Sequence, residues 1–489
     1  MFAFNNSYAR LPDRFYARVL PTKVGDPRVV KVNQSLAALL GVSAERLASS
    51  AGAALLVGNE IPAGAEPLAL AYAGHQFGGF VPQLGDGRAI LLGEVVGVDG
   101  VRRDVQLKGS GRTPFSRNGD GRAALGPVLR EYLVSEAMAA LGIPTTRALA
   151  VATTGERVHR EEALPGAILT RVAASHLRVG TFEFFASRGD REALVALTAH
   201  ALARHYPDAA DSGNDALALL EQVIDAQARL VARWLGVGFV HGVMNTDNTA
   251  ISGETLDYGP CAFLDAYDPR RTFSSIDHRG RYAFANQPRI AHWNMTRLAE
   301  ALLGVLSDDE ATAVRLATER LDRFPALFEA AHLRVLRAKL GLRHEDPDDR
   351  TLAHDLLDRL AQNHVDHTLF FRRLCACAAD PSADAAILPL FDDPEAFRTW
   401  AEAWRRRSAT ESRTPAQQGS EMKRANPAFI PRNHRVEEAI DAAVRRGDFA
   451  PFEVLADVFA SPYDDQPQRA HLAEPPAADQ SAYRTFCGT

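Results

Sequence analysis

The sequence changes character along its length, from glycine-punctuated β-type runs to long stretches with helical spacing. Eight glycines interrupt residues 72–108, and the short apolar runs between them are typical of strands joined by tight turns. Beyond residue 190, apolar residues recur with the period of amphipathic helices. This order predicts an α+β fold in which a β-rich lobe precedes a helical lobe.

Individual elements follow from the same signals. The expected strands are 77–84, 88–98, 103–108, 147–153 and 167–171, with the first two paired in a hairpin across Gly85-Asp86-Gly87. The expected helices are 36–47, 126–141, 191–205, 215–235, 294–306, 309–340, 352–379, 436–446 and 452–459. Residues 408–420 are rich in Ser, Thr and Gln and are typical of a linker.

Composition excludes several classes of protein. The chain has 489 residues, enough for two or three cores, and its net charge of −6 argues against a general nucleic-acid binder. It holds no apolar run of the ~18 residues that a membrane helix needs, and its first residues lack the basic and apolar regions of a secretory signal. Four cysteines are too few for a disulfide framework, so we expect a protein of the reducing cytoplasm with no membrane partner.

Lysine is rare in this chain, which makes each lysine informative. Only five of the 55 basic residues are lysines, and Lys108 ends the third expected strand. The helix that follows carries Glu131, with Glu136 as a second candidate. A strand lysine paired with a helical glutamate holds the phosphates of ATP in kinase-like folds. The alternative is a surface lysine and a solvated acid. Lys339 is expected on a helix well outside the site, where replacement by arginine should have almost no effect on activity.

Three glycine loops flank this lysine, at residues 84–88, 109–112 and 118–122. Glycine lets backbone amides approach a phosphate because it has no Cβ. A single loop of this kind is more typical of an ordinary tight turn, but three of them with arginines within 40 residues favour a phosphate site. None of them is a Walker A sequence. Arg171 and Arg178 could hold phosphates in the same region, but in a chain with 50 arginines their spacing alone is weak support.

Residues 241–248, His-Gly-Val-Met-Asn-Thr-Asp-Asn, keep the frame of a kinase catalytic loop, and Asp257-Tyr258-Gly259 stands in for Asp-Phe-Gly. Oxygen ligands from Asn248 and Asp257 suit Mg²⁺ bound jointly with a nucleotide phosphate. The position of the kinase base holds Val243, which cannot accept a proton. Asp247 is the other acid in the loop and becomes the candidate base.

The cysteines divide into two kinds. Cys375 and Cys377 fall on an expected helix without further metal-ligand spacing, which favours buried structural thiols. Cys487 lies on a polar tail, where an exposed thiol could be redox-active, and Cys261 is a conceivable partner.

Six segments resemble the selenoprotein O family, also called SelO or YdiU: residues 72–78, 83–88, 106–111, 241–248, 256–260 and 281–288. The resemblance covers nearly the whole chain, which is identified as a Cys-containing bacterial member, since some relatives carry selenocysteine where it has Cys487. It implies a bilobal protein-kinase-like fold once regarded as a pseudokinase. It also implies transfer of AMP from ATP, bound in a flipped orientation, to Ser, Thr or Tyr hydroxyls of protein substrates with Mg²⁺ or Mn²⁺.

Carried over residue by residue, the resemblance also implies roles. It implies Asp247 as the proton acceptor and Asn248 and Asp257 as metal ligands. The residues implied in nucleotide binding are Gly85, Gly87, Arg88, Lys108, Asp120, Gly121, Glu131, Arg171, Arg178 and Asp257. It further implies redox control through a disulfide to the terminal cysteine, a role in oxidative stress, and UTP as a possible second nucleotide; whether Cys261 is the disulfide partner stays open.

The expected domains are an N-terminal extension (1–70), a β-rich N-lobe (71–165), a helical C-lobe (166–380) and a C-terminal extension (381–489) with a mobile tail that ends in Cys487. Two other functions remain: a phosphotransferase, against which Val243 argues, and a catalytically inactive nucleotide-binding scaffold, against which the retained metal pair argues. The oligomeric state is left open.

Overall fold

A computed structural model describes residues 2–210, 213–477 and 485. Its strands are β1 (Tyr16–Arg18), β2 (Arg28–Val32), β3 (Leu68–Leu70), β4 (Gly74–Gln76), β5 (Gly79–Val81), β6 (Ala89–Val96), β7 (Arg102–Lys108), β8 (Ala123–Ala124), β9 (Arg147–His159), β10 (Ala163–Ala173), β11 (Phe239–Val240) and β12 (Ala262–Phe263). The main antiparallel sheet has the order β1-β3-β6-β7-β10-β9-β2, and β8 pairs with β10. The pairs β4–β5 and β11–β12 form two small separate sheets. The described part is therefore mixed α/β, with strands concentrated before residue 174.

Helices dominate after the sheet, as the spacing predicts. They are α1 (Gln34–Leu39), α2 (Ala44–Ala48), α3 (Ser50–Leu56), α4 (Leu125–Ala140), α5 (Val179–Ala186), α6 (Arg191–His205), α7 (Asp215–Gly236), α8 (Gln287–Leu306), α9 (Glu310–Leu321), α10 (Phe324–Leu340), α11 (Asp349–Gln362), α12 (His367–Ala379), α13 (Pro394–Ser408), α14 (Pro415–Ala425), α15 (Asn433–Arg446) and α16 (Ala450–Phe459). No helix in the described ranges is both long enough and apolar enough to cross a membrane.

The sheet and α4 together fix the strand that carries Lys108. β7 pairs with β6 on one side and β10 on the other, and Val105 and Leu107 are fully buried in the core. α4 packs its buried Leu129 and Leu133 against strand residues and against α15 and α16. Each leucine buried in this way contributes about 1.5–3 kcal/mol, so the helix that carries Glu131 is held firmly.

The predicted hairpin across Gly85-Asp86-Gly87 is wrong. β5 pairs with β4, while β6 pairs with β3 and β7. The tight turn lies instead at Phe77 and Gly78, both with positive φ, and two such residues in succession are what a two-residue hairpin turn requires. Residues 82–88 form a loop into the candidate site.

Three of the predicted helices are each two helices in the structure. The predicted helix 36–47 breaks at Gly41, which has φ +69°. The predicted helix 309–340 breaks before Pro325, and 352–379 breaks where Asp366 caps the start of α12. The predicted linker 408–420 is also wrong, because Thr414 and Gln417 form a capping box that starts α14. Other predicted helices, including 191–205, are confirmed to within a few residues, except that 294–306 begins at Gln287 in the structure.

The predicted domain limits can be placed on this architecture. Residues 1–70 supply β1, β2 and β3 to the main sheet, and the limit between residues 165 and 166 falls within β10. From the last predicted domain, α15 and α16 pack on α4. The four-part division stays a prediction.

Candidate functional site

A cavity of about 350 Å³ opens where the ends of β6 and β7 meet the loops that follow β11. Eleven of the residues predicted from the sequence line it: Gly85, Gly87, Arg88, Lys108, Asp120, Gly121, Arg171, Arg178, Asp247, Asn248 and Asp257. Glu131 is not in the wall but lies behind it, bonded to Lys108. Residues far apart in sequence therefore converge here, while the individual roles assigned to them stay predictions.

Lys108 is the centre of a buried ion network. Its Nζ donates to Glu131 Oε2 at 2.6 Å and also to Asp257 Oδ1. Arg171 donates from Nε to Glu131 Oε1 at 2.8 Å and from Nη2 to Asp257 Oδ1 at 2.5 Å. Two cations thus share two carboxylates beneath the cavity, which fixes all four side chains.

The two carboxyl groups of this network are held in their charged forms. Burial alone would raise the pKa of Asp257, but Arg171, Lys108 and Arg178 outweigh it and hold that pKa well below its usual range. The same balance, with Arg171 and Lys108 opposing burial, lowers the pKa of Glu131. Both acids are therefore anionic at neutral pH, and the cations they orient face the cavity.

Arg178 is held by a second set of contacts. Its guanidinium lies over the ring of Tyr72, 4.2 Å from the centroid, and Nη1 donates to Asp86 Oδ1 at 3.3 Å. Gln106 in turn donates to the other oxygen of Asp86 at 3.1 Å. Arg178 is only 2% exposed, yet its Nε has no acceptor among the described residues. A buried guanidinium with a vacant donor at the cavity wall is suited to an anionic ligand.

The glycines of the loop 85–87 allow another loop to lie close behind them. A Cβ on Gly85, whose φ is +79°, would lie 2.3 Å from the ring of Phe115, and one on Gly87 would lie 2.9 Å from the carbonyl oxygen of Phe115. Ser116 Oγ also donates to the carbonyl of Gly87. The loop is thus fixed with its backbone at the cavity surface, and larger residues do not fit at either position.

Asp247 lies at the edge of the same cavity and is in a different electrostatic state from Asp257. Its Oδ2 accepts from Gln76 Nε2 at 3.1 Å, and its Oδ1 is buried with no hydrogen-bond donor in the described residues. Burial raises its pKa to about 6, against the lowering effect of the Gln76 hydrogen bond. Val243 also lines the cavity, and the assignment of Asp247 as the base in its place stays a prediction.

The family model "Protein adenylyltransferase SelO" matches residues 1–460. The chain belongs to the SelO family. A relative from Methylorubrum populi, named protein nucleotidyltransferase YdiU, is 63% identical over 495 residues, covering 100% of this chain and 99% of the relative. Relatives of the same name from Bradyrhizobium sp. strain ORS 278 and Rhodopseudomonas palustris are 60% and 59% identical over 100% of this chain and 99% of theirs.

The oxygen atoms available in the site fit the divalent metal ion that this family's chemistry implies. Asn248 donates its amide nitrogen to the carbonyl of Val243 at 3.0 Å, which leaves its oxygen for a ligand. Asp257 Oδ2 lies 3.9 Å from Arg178 Nη2, beyond hydrogen-bond distance. The described residues contain no preformed cluster of three or more His, Cys, Asp or Glu side chains for a metal. An amide oxygen and a carboxylate suit a hard cation that takes its remaining ligands from phosphates and water.

Sequence reasoning missed several residues that shape this site. Arg160 donates from Nη1 to Asp120 Oδ2 at 2.9 Å and from Nη2 to Asp120 Oδ1 at 3.1 Å, and both side chains line the cavity. Gln76 and Asp86 orient Asp247 and Arg178 as described above. Gln76 and Asp86 belong to the family-like segments 72–78 and 83–88, which offered a signal, whereas Arg160 is one of 50 arginines and had none.

The cysteines carry no site in the described residues. Cys375 and Cys377 are buried in the core around α12, as predicted. Burial raises the pKa of Cys261 to about 12, so this thiol stays protonated. Cys487 lies outside the described residues. Nearby in sequence, Thr485 donates its hydroxyl to the carbonyl of Pro260 at 2.6 Å.

Proposed function

We propose that the chain transfers AMP from ATP to hydroxyl groups of Ser, Thr or Tyr in protein substrates, as a cytoplasmic enzyme with a bilobal kinase-like architecture. Family membership places it among the protein nucleotidyltransferases. The observation that carries the finer proposal is the combination in one cavity of the Lys108–Glu131–Asp257 network with Val243 and Asp247. In this proposal the site keeps the phosphate-binding and metal-binding groups of a kinase, and Asp247 takes the role of the base that Val243 cannot fill.

The nucleotide phosphates find their counter-charges along one wall. Lys108, Arg171 and Arg178 line the cavity as cations whose orientation is fixed by carboxylates. Because these side chains are already held in place, they can neutralise the phosphate charge without first moving. Preorganised cations stabilise the transition state of a phosphate-transfer reaction in this way. The loop at Gly85–Gly87 supplies backbone next to them.

Asn248 and Asp257 would hold Mg²⁺ or Mn²⁺, which would neutralise charge on the phosphates when bound. Asp247 takes the proton of the acceptor hydroxyl. The hydroxyl oxygen bonds to the α-phosphorus, the bond from that phosphorus to the oxygen bridging to the β-phosphate breaks, and pyrophosphate leaves. A general base contributes about 10²–10⁴-fold, and a base with a pKa near 6 is well matched to neutral pH.

The test uses ATP labelled on the α-phosphate and, separately, on the γ-phosphate, with mass spectrometry of the modified protein. AMP transfer adds the α-label and the mass of AMP. Gain of the γ-label and phosphate instead supports a phosphotransferase, and binding of ATP without any label transfer supports an inactive scaffold. The same assay with UTP tests a second nucleotide, and the assay with and without reductant tests redox control.

A further inference from the structure

Two of the family-like segments, 72–78 and 281–288, take little part in the proposed chemistry, yet the structure brings them together beside Asp247. The β4–β5 hairpin is fastened to the candidate catalytic loop through consecutive residues. Gln76 Nε2 donates to Asp247 Oδ2 at 3.1 Å, and the backbone of Phe77 donates to Asn245 Oδ1 at 3.1 Å. Tyr282 donates its hydroxyl to the same Asn245 oxygen at 2.7 Å, so both segments converge on one amide.

The outer side of this hairpin is apolar and exposed. Phe77 is 37% exposed and Phe80 is 42% exposed. Phe77 sits at the turn with a φ of +51°, a conformation that a bulky residue rarely adopts, and its ring packs edge-on against Tyr282 at 5.1 Å. Two aromatic side chains held at a hairpin tip beside a candidate base are suited to contact with another polypeptide.

Arg281 supplies a cation next to these rings. Its guanidinium lies over Trp293, 4.7 Å from the ring centroid, and Gly78 covers it closely enough that a Cβ there would lie 3.6 Å away. Its Nε and Nη2 are buried and have no acceptor among the described residues. Within the described part of the chain no carboxylate pairs with this guanidinium, so its positive charge adds to the potential of this face.

The surrounding segment is basic. Residues 268–289 contain five arginines and two aspartates. The carboxyl group of one of these, Asp277, accepts from the backbone of Arg281 and Tyr282 at 2.9 and 2.8 Å, so it folds the segment and does not neutralise the guanidinium. Charge complementarity therefore favours an acidic partner at this face.

We propose that the β4–β5 hairpin and the segment 268–289 form the docking surface for the protein substrate, and that this surface selects acceptor segments with an acidic side chain near the modified hydroxyl. The inference rests on the proposed function for the identity of the reaction. Apolar side chains of the acceptor pack on Phe77 and Phe80. Its carboxylate is attracted by the positive charge of Arg281, which lies behind the Phe77–Gly78 turn, and by the exposed Arg279 of the same segment.

The test compares two synthetic peptides with one Tyr each, one flanked by Asp and Glu and the other by Asn and Gln. Binding is measured by fluorescence anisotropy of the labelled peptides, and AMP transfer is measured as kcat/KM with α-labelled ATP. We expect the acidic peptide to bind at least tenfold more tightly and to be modified with the same preference, and we expect this preference to fall as salt is added.

Arg281→Gln is expected to reduce the preference to less than threefold without changing ATP affinity. Its matched control is Arg398→Gln on α13, an arginine with 55% side-chain exposure, which is expected to keep the full preference. If Arg281→Gln does not fold, the exposed Arg279→Gln is expected to weaken the preference severalfold. The inference is overturned if the wild type binds the two peptides equally. It is also overturned if Arg281→Gln and Arg279→Gln both keep the full preference for the acidic peptide. Absence of AMP transfer to every acceptor refutes the proposed function instead, while the anisotropy still decides on docking.

Discussion

The substitution Lys108→Arg tests the ion network most directly, because it keeps the charge and changes only its shape. Lys108 has 11% side-chain exposure and bonds Glu131 at 2.6 Å. Arginine is longer, planar and forked, whereas the space beside Glu131 and Asp257 is sized for a compact ammonium. Arg171 already uses the facing Oε1 of Glu131 with two of its nitrogens, so a second guanidinium has no vacant carboxylate edge to pair with.

The size of the effect follows from overpacking. Forcing extra atoms into a packed, buried site costs about 1–3 kcal/mol. If that strain falls on the arrangement that binds the phosphates, it corresponds to a loss of about 5- to 160-fold in kcat/KM. The middle of this range, about 2 kcal/mol, corresponds to about 30-fold, so we expect AMP transfer to decrease by tenfold or more.

The assay is transfer of α-labelled AMP, with the thermal midpoint measured in parallel to show that the variant is folded. Lys423→Arg is the matched control, because this lysine is 47% exposed and pairs with Asp465 on the surface. We expect the control to retain wild-type activity. If the two variants lose equal activity, or neither loses any, the assignment of Lys108 to phosphate binding is refuted.

Three further outcomes are expected. Asp257→Ala should abolish transfer in a chain that still folds, with a lowered thermal midpoint because Lys108 and Arg171 then share Glu131 alone; retention of most activity would show that Asp257 is not a metal ligand. Asp247→Asn should lower kcat by about 10²-fold or more with little change in ATP affinity, and an unchanged kcat would leave it a purely structural residue. Burial lowers the pKa of Lys339 from 10.5 to about 7, so between these values the unfolded chain binds more protons and stability rises with pH. Lys339→Met should therefore raise the thermal midpoint near pH 7 and lose this advantage near pH 10; an advantage independent of pH would contradict the assignment.

The convergence of the site residues could be predicted from the order of the elements that hold them, because that order is the one found in kinase-like folds. Lys108 ends a strand, Glu131 lies on the next helix, and residues 241–257 follow in a loop, and these features are visible in local sequence. The helix 191–205 is confirmed residue for residue, since its cap Asp190 and its spacing are both local signals.

Strand pairing near the site could not be predicted in the same way. The turn at Gly85-Asp86-Gly87 has better local turn chemistry than Phe77-Gly78, yet the chain turns at the latter. The reason lies in tertiary contacts. The carboxylate of Asp86 is used by Arg178, Gln106 and the backbone of Leu70, none of which is near it in sequence.

Lys339 shows why rarity of a residue type does not by itself identify a site. The sequence places it on a helix well outside the site and predicts no role in activity. In the structure it is 2% exposed, and its ammonium lies 4.1 Å from the centroid of the Phe371 ring. Lys108 is buried as well, yet it bonds two carboxylates. A buried ammonium over an aromatic ring gains about 2 kcal/mol from that contact, and burial moves it toward its neutral form. A lysine that is paired with carboxylates, as Lys108 is, stays charged, and only a charged lysine can bind a phosphate by ion pairing. The anionic neighbours of a buried lysine therefore decide whether it is a candidate for phosphate binding.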